Sequence, residues 1–112
     1  MIMKIDVKEG RVLVESISVY QVSDTCFYLM IDFKSKRPEL VAYYAGSEAV
    51  LDFAANEETL RVNKDGDPFT SIRVFLDRDV RCIVAERVGR YTCMATLFTE
   101  KPTEKIVIEW IR

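Results

Sequence analysis

The side chains best suited to bind a metal ion lie in the segment NKDGDP, where Asn63, Asp65 and Asp67 occupy alternate positions around a glycine. A calcium-binding EF-hand loop spaces its oxygen ligands in this way, but it also needs glycine at its sixth position and glutamate at its twelfth. Counted from Asn63, those positions hold Pro68 and Val74. Because Asp-Gly readily adopts the positive φ angles of tight turns, the segment favours a hairpin turn over a metal site. We therefore predict no bound metal.

The chain contains no histidine, and this absence excludes several kinds of catalytic site. Without imidazole there is no Ser-His or Cys-His nucleophile and no histidine-containing zinc site. The three cysteines, Cys26, Cys82 and Cys93, have no CxxC spacing and lie in apolar or alternating stretches, so we expect them to be buried. The four glycines are isolated from one another, so no glycine-rich phosphate loop is present. We predict a protein that is not an enzyme and needs no cofactor.

Glu86 is the carboxylate with the strongest claim to a catalytic role. It continues the period-two face of Cys82 and Val84, so a regular strand would point it inward among apolar neighbours, where a carboxylic acid can act as a general acid. The simpler interpretation is a strand that bulges near Gly89, or an ion pair with an arginine such as Arg73. We favour the simpler interpretation because ion pairs of this kind are common structural features.

Alternation of apolar and polar residues with a period of two runs through most of the chain and predicts β-strands. The stretch CFYLMIDF, residues 26–33, is apolar on both faces, which is typical of a central strand. A short helix is predicted near residues 47–55, since Ser47 can cap it and the alanines favour it, although AVLDF fits a strand equally well. The predicted fold is mainly β: an antiparallel sandwich or small barrel of about eight to ten short strands, in one domain over residues 1–112.

Composition and length are those of an ordinary globular domain, with 112 residues of which 49% are hydrophobic and 30% charged. No apolar run reaches the roughly 20 residues needed to cross a bilayer, and the N-terminal MIMKIDVKEG lacks the apolar region of a signal peptide. We expect a cytoplasmic protein with no membrane contact. Acidic residues are interleaved with the basic ones, so nucleic-acid binding is not predicted. The edge strands expected at residues 3–7 and 106–111 allow pairing between chains, and thus a homodimer.

Charge is segregated along the sequence. Residues 39–60 contain five acidic and no basic residues, a net charge of −5, which leaves +3 for the rest of a chain whose total is −2. The same segment contains tyrosines, and an exposed aromatic ring beside carboxylates can anchor a protein partner while the charge steers it. The simpler alternative is that the carboxylates only solvate one face while the rings pack in the core. The predicted partner-binding residues are Glu39, Tyr43, Tyr44, Glu48, Asp52, Glu57 and Glu58.

Class and charge together predict a non-enzymatic cytosolic protein-binding module whose partner is a basic protein, either a toxin or a host enzyme. The specific hypothesis is a small acidic immunity protein, an inhibitor that neutralises a nuclease-type toxin by covering its active site. Enzymes that act on phosphates carry basic clefts, so an acidic inhibitor gains both steering and specificity from its charge. Two alternatives stay open: a small-ligand or lipid carrier of β-barrel type, and a phage accessory or inhibitor protein.

Overall fold

The structure is a computed structural model that describes residues 2–5, 14–34, 38–54 and 69–110. These residues form nine strands and no helix: β1 (Ile2–Ile5), β2 (Val14–Ser23), β3 (Cys26–Phe33), β4 (Glu39–Ala45), β5 (Glu48–Ala54), β6 (Phe69–Leu76), β7 (Val80–Arg87), β8 (Thr92–Thr99) and β9 (Ile106–Trp110). The predicted mainly β fold is confirmed. With strands alone in the described ranges, the chain shows no helix there that could cross a membrane.

The strands form two antiparallel sheets. The five-stranded sheet has the order β1-β2-β3-β8-β7, and the four-stranded sheet has the order β4-β5-β6-β9. In the described part of the chain no hydrogen-bonded strand pair joins the two sheets, so the architecture is a sandwich rather than a closed barrel. As its two apolar faces predicted, β3 is the central strand of its sheet.

The hydrophobic core lies between the sheets and is built from alternate residues of both. The edge-to-face ring pair of Phe33 and Phe53, with centroids 5.6 Å apart, joins one sheet to the other. The ring of Trp110 in turn packs edge-to-face on Phe53 at 6.3 Å. Each large side chain buried in this way contributes roughly 1.5–3 kcal/mol to the stability of the fold. Fully buried members of the core include Leu29, Ile31, Leu51, Phe53, Ile72, Val74, Ala95 and Leu97.

The helix predicted near residues 47–55 is wrong, because β5 (Glu48–Ala54) occupies that stretch. Ala49, Leu51 and Phe53 alternate along the strand and are all completely buried. A helix would have turned Leu51 away from the side shared by Ala49 and Phe53 and left it without core contacts. Burial of this period-two face therefore outweighs the helix propensity of the alanines.

The two-residue turn between β4 and β5 explains why Ser47 is not a helix cap. Gly46 has a φ of 59°, the positive value that two-residue hairpin turns require. The carbonyl groups of the turn accept hydrogen bonds from the end of β6 and the start of β7. Leu76 N donates to Ser47 O at 2.9 Å, and Val80 N donates to Gly46 O at 2.8 Å. The turn is thus fixed in place by the segment that leads from β6 to β7.

One side of the sandwich is held together by side chains. The edge strands β4 and β7 lie beside each other in opposite directions, with Tyr44 next to Arg81 and Glu39 next to Arg87. On the other side the edge strands among the described residues are β1 and β9, so the predicted edge positions agree with the sheet order for residues 3–5 and 106–110.

Candidate functional site

The predicted partner-binding segment supplies β4 and β5, and its outward-facing side chains share one surface with those of β6 and β9. We call this surface the acidic face. Its residues alternate with the buried ones and pair across the strands in register. Three carboxylates and one guanidinium lie among its described side chains, which gives a net charge of −2. The acidic face consists of Val41, Tyr43, Glu48, Val50, Asp52, Ser71, Arg73, Phe75, Val107 and Glu109.

Tyr43 is the most exposed aromatic side chain of the acidic face. Its relative exposure is 52%, a high value for a large ring on a sheet. Partial burial raises the pKa of the Tyr43 hydroxyl, the neighbouring Asp52 carboxylate raises it further, and the Arg73 guanidinium opposes this effect. The ring therefore lies within the electrostatic field of Asp52 while about half of its surface is open to solvent.

Asp52 is held by a hydroxyl group of the neighbouring strand. Its carboxylate Oδ1 accepts a hydrogen bond from Ser71 Oγ at 2.5 Å. Ser71 lies directly opposite Asp52 on the neighbouring strand β6, so the sheet register brings these groups together. Bonds from neutral donors orient the carboxylate without cancelling its charge. Asp52 is therefore a fixed negative charge beside the exposed ring.

Glu48 and Arg73 form an ion pair on the same face. Arg73 Nε lies 2.7 Å from Glu48 Oε1, and both side chains are 42% exposed. The nitrogen is not aligned for a regular hydrogen bond, so the contact is mainly electrostatic. The guanidinium also lies 5.6 Å from the centroid of the Phe75 ring. Glu109 occupies the position opposite Arg73 on the neighbouring strand β9. Arg73 therefore offsets part of the negative charge of the acidic face.

Two of the predicted residues link the sheets instead of joining the acidic face. The Tyr44 hydroxyl donates a hydrogen bond to the carbonyl oxygen of Arg81 at 2.6 Å, and Tyr44 pairs with the buried Ala49. Glu39 Oε1 accepts a hydrogen bond from Arg87 Nη1 at 3.4 Å. Both contacts cross from β4 to β7. Glu57 and Glu58, like the segment NKDGDP for which a hairpin turn was predicted, lie outside the described residues.

The structure thus brings together three of the predicted residues, Tyr43, Glu48 and Asp52, and adds others that sequence reasoning missed. Arg73 and Glu109 come from distant parts of the chain. The only signal for them in the sequence is their outward position on alternating strands, which becomes useful once the strand order is known. A recess of about 240 Å³ next to the β4–β5 turn is lined by Tyr43, Tyr44, Ala45, Glu48 and Val50.

The groups considered for catalysis do not form a reactive site in the described residues. Glu86 lies exposed on the outer face of the five-stranded sheet, so its inward placement is wrong, and Arg73 belongs to the other sheet. Burial raises the pKa of the Cys93 thiol to about 11, an effect that nearby Glu39 reinforces, which keeps it protonated and unreactive. In the ranges that the structure covers, no three His, Cys, Asp or Glu side chains are grouped so that they could hold a metal ion.

The comparisons with known proteins add no identification, since no family model, no curated protein and no solved structure matches this chain.

Proposed function

We propose that this chain is a protein-binding module whose acidic face docks a basic protein. The observation that carries this proposal is the exposed ring of Tyr43 beside the fixed carboxylate of Asp52. Tyrosines at the centre of an interface often contribute a large part of the binding energy, because the ring buries much apolar area and the hydroxyl retains a polar partner. Val41 and Val50 extend the apolar surface around this ring.

The sheet orders the charged group beside the Tyr43 ring before any partner binds. Asp52 is held by the hydroxyl of Ser71, which lies opposite it on β6. A side chain that is already ordered loses less conformational freedom on association, which otherwise costs about 0.5–1.5 kcal/mol for each immobilised side chain. The surface is thus suited to contact a partner without rearrangement of the backbone.

The charge of the acidic face favours a partner of positive potential. Glu48, Asp52 and Glu109 outnumber Arg73 on this surface, and complementary potentials accelerate the encounter of two proteins. The ion pair of Glu48 with Arg73 reduces this advantage, so we expect the charge to act mainly on the rate of association. The apolar contact of Tyr43 then determines how long the complex lasts.

The narrower proposal is an immunity or inhibitor protein that covers the basic active site of a nuclease-type toxin. An acidic sheet surface presents negative charge in the place where such an enzyme binds phosphates. A phage inhibitor of a host enzyme would use the same surface chemistry, and the identity of the partner separates the two. The carrier alternative gains no support, because side chains of both sheets fill the described interior.

Affinity capture from the native cell tests this proposal. Tagged wild-type protein should retain a basic protein, and Tyr43→Ala should lose it. Tyr91→Ala is the matched control, because Tyr91 is 41% exposed but lies in the turn before β8, away from the acidic face. Equal capture by wild type and Tyr43→Ala, or a retained partner with an acidic surface, would overturn the assignment. A toxin-like reading frame next to the gene would favour the immunity proposal specifically.

A further inference from the structure

The outer face of the five-stranded sheet is unusually apolar. Its central side chains are half-buried or exposed, and they alternate with the residues of the core. An antiparallel sheet with one solvent-facing side normally places polar residues there. We call this surface the apolar face, formed chiefly by Tyr20, Tyr28, Met30, Val84, Met94 and Phe98. Val84 is 50% exposed, so the described residues leave this part of the face uncovered.

The sheet register arranges the apolar face in rows that run across the strands. One row contains Tyr20, Tyr28, Thr96 and Val84, and the rings of Tyr20 and Tyr28 are stacked with centroids 5.0 Å apart. The next row in one direction contains Ser18, Met30, Met94 and Glu86. The next row in the other direction contains Phe98, flanked by Cys26 and Cys82. The row of Tyr28 therefore lies in the middle.

Two opposite charges lie on either side of this middle row. The strand irregularity between Val80 and Cys82 allows Arg81 to reach the apolar face, where its guanidinium lies 5.8 Å from the centroid of the Phe98 ring. Glu86 is exposed in the row of Met94. Both residues belong to β7, with Val84 between them. The apolar face thus has a positive end and a negative end.

We propose that the apolar face is covered by a second copy of this chain. A two-fold axis along the row of Tyr28, Thr96 and Val84 reverses the strand direction and stacks β7 of one copy on β7 of the other. This operation places Arg81 of each copy opposite Glu86 of the other, because the two residues lie on opposite sides of the axis. The interface is isologous, with the same ion pair formed twice. Methionine and aromatic side chains fill the space between the charged pairs.

The dimensions of the apolar face fit a small dimer interface. Four strands at about 4.8 Å and eight residues at about 3.4 Å give the outer side of the sheet a surface of roughly 19 Å by 27 Å, or about 500 Å², of which the three apolar rows take about two-thirds. Two such surfaces together approach the roughly 1,000 Å² at which specific interfaces begin. We therefore expect a dimer of modest affinity. A lipid would leave the exposed carboxylate of Glu86 in contact with hydrocarbon, and a strongly charged partner would meet a like charge at one end.

The inference is independent of the proposed function, because the acidic face lies on the other sheet and stays free in the dimer. Sedimentation velocity at protein concentrations from about 1 μM to about 1 mM should show a monomer–dimer equilibrium. Arg81→Glu and Glu86→Arg should each raise the dissociation constant at least about tenfold, because each creates two like-charge contacts. The double variant with both substitutions should return to within about threefold of wild type.

A monomer throughout that concentration range would overturn the proposal. A dimer that neither single substitution weakens would also overturn it, because such a dimer would form elsewhere, for example at the β1 or β9 edge. Restoration by the double variant cannot come from altered folding, and circular dichroism of each single variant confirms that it is folded.

A cysteine placed on the proposed axis gives a second test. Val84→Cys, in a background of Cys26→Ser and Cys82→Ser, should be cross-linked between two copies by a short bismaleimide, because residue 84 faces its own counterpart across the axis at the roughly 10 Å spacing of packed sheets. Val107→Cys in the same background is the matched control, since Val107 is an exposed valine on the other sheet. Cross-linking of Val84→Cys no faster than that of Val107→Cys would contradict the proposed axis.

Discussion

Tyr43 and Tyr44 are neighbours in the chain but face opposite sides of the four-stranded sheet. Tyr44 is 44% exposed and its hydroxyl donates to the backbone of β7, whereas Tyr43 is 52% exposed on the acidic face. Because successive side chains of a strand point to opposite faces, Tyr44 links the two sheets through its hydroxyl while Tyr43 lies on the outer surface. Two adjacent residues of the same type should respond differently to the same substitution.

Tyr44→Phe should lower the stability of the fold, while Tyr43→Phe should leave it nearly unchanged. The first substitution removes the hydrogen bond to Arg81 O, which is worth about 0.5–1.5 kcal/mol in the free energy of unfolding. Urea denaturation of both variants measures the difference. A loss of stability in Tyr43→Phe equal to that in Tyr44→Phe would show that the two rings do not have separate roles.

Arg73→Gln should increase the rate of association with a basic partner. The substitution removes the cation that offsets Glu48 and makes the acidic face more negative by one charge. We expect an increase of roughly twofold to tenfold at low salt. Lys101→Gln changes the total charge equally but lies in the loop between β8 and β9, so it should have a smaller effect. Equal rates for the two variants would mean that only net charge matters.

Asp77 should make stability depend on pH in the acid range. The hydrogen bond from the Thr103 hydroxyl lowers the pKa of the Asp77 carboxyl; partial desolvation opposes this effect, and the backbone N–H of Glu104 adds to the lowering. Because the folded pKa lies below the unfolded value, the stabilisation is complete above about pH 4 and is lost as the pH falls through the folded pKa.

Denaturation of wild type and Asp77→Asn as a function of pH measures this contribution. Their difference in the free energy of unfolding should be largest near neutrality and should shrink in acid. Thr103→Val removes the main hydrogen-bond donor and should weaken the acid dependence. A difference between wild type and Asp77→Asn that stays constant from pH 7 to about pH 2 would contradict the assignment.

The cysteines should differ in their reactivity toward a thiol reagent. At pH 8 a thiol whose pKa is about 11 is ionised in only about one molecule per thousand, and Cys93 is also buried. Cys26 and Cys82 are only half-buried, so two thiols should react in the native protein and three in the unfolded protein. Reaction of all three at one rate in the native state would contradict the packing around Cys93.

The sequence was sufficient to predict most of the fold because alternation records which face of a strand is buried. The central position of β3 follows from its two apolar faces, and Ile106, Ile108 and Trp110 share the inward face that their spacing predicts. The secondary structure of residues 47–55 was harder to predict. Alanine favours a helix locally, and only the burial of alternate side chains against the opposite sheet favours a strand there. The turn at Gly46 was the signal that could have corrected it.

The acidic face could be predicted only in part. Tyr43, Glu48 and Asp52 share an outward position within one hairpin, which sequence spacing can indicate. The contributions of Arg73 and Glu109 depend on which strand lies beside β5, and strand order depends on contacts distant in the chain. The same limit applies to Glu86. Its side chain shares a face with Cys82 and Val84, as the alternation indicates, but only the strand order shows that this face points away from the core.

The most direct test of the proposed function is the association rate with the captured partner, measured by surface plasmon resonance as a function of salt. We expect the rate to fall steeply as salt increases, and to fall in Asp52→Asn and in Glu109→Gln, which each remove one negative charge from the acidic face. The dissociation rate of the charge variants should change less. An association rate that responds neither to salt nor to these substitutions would contradict the claim that the acidic face binds a basic protein.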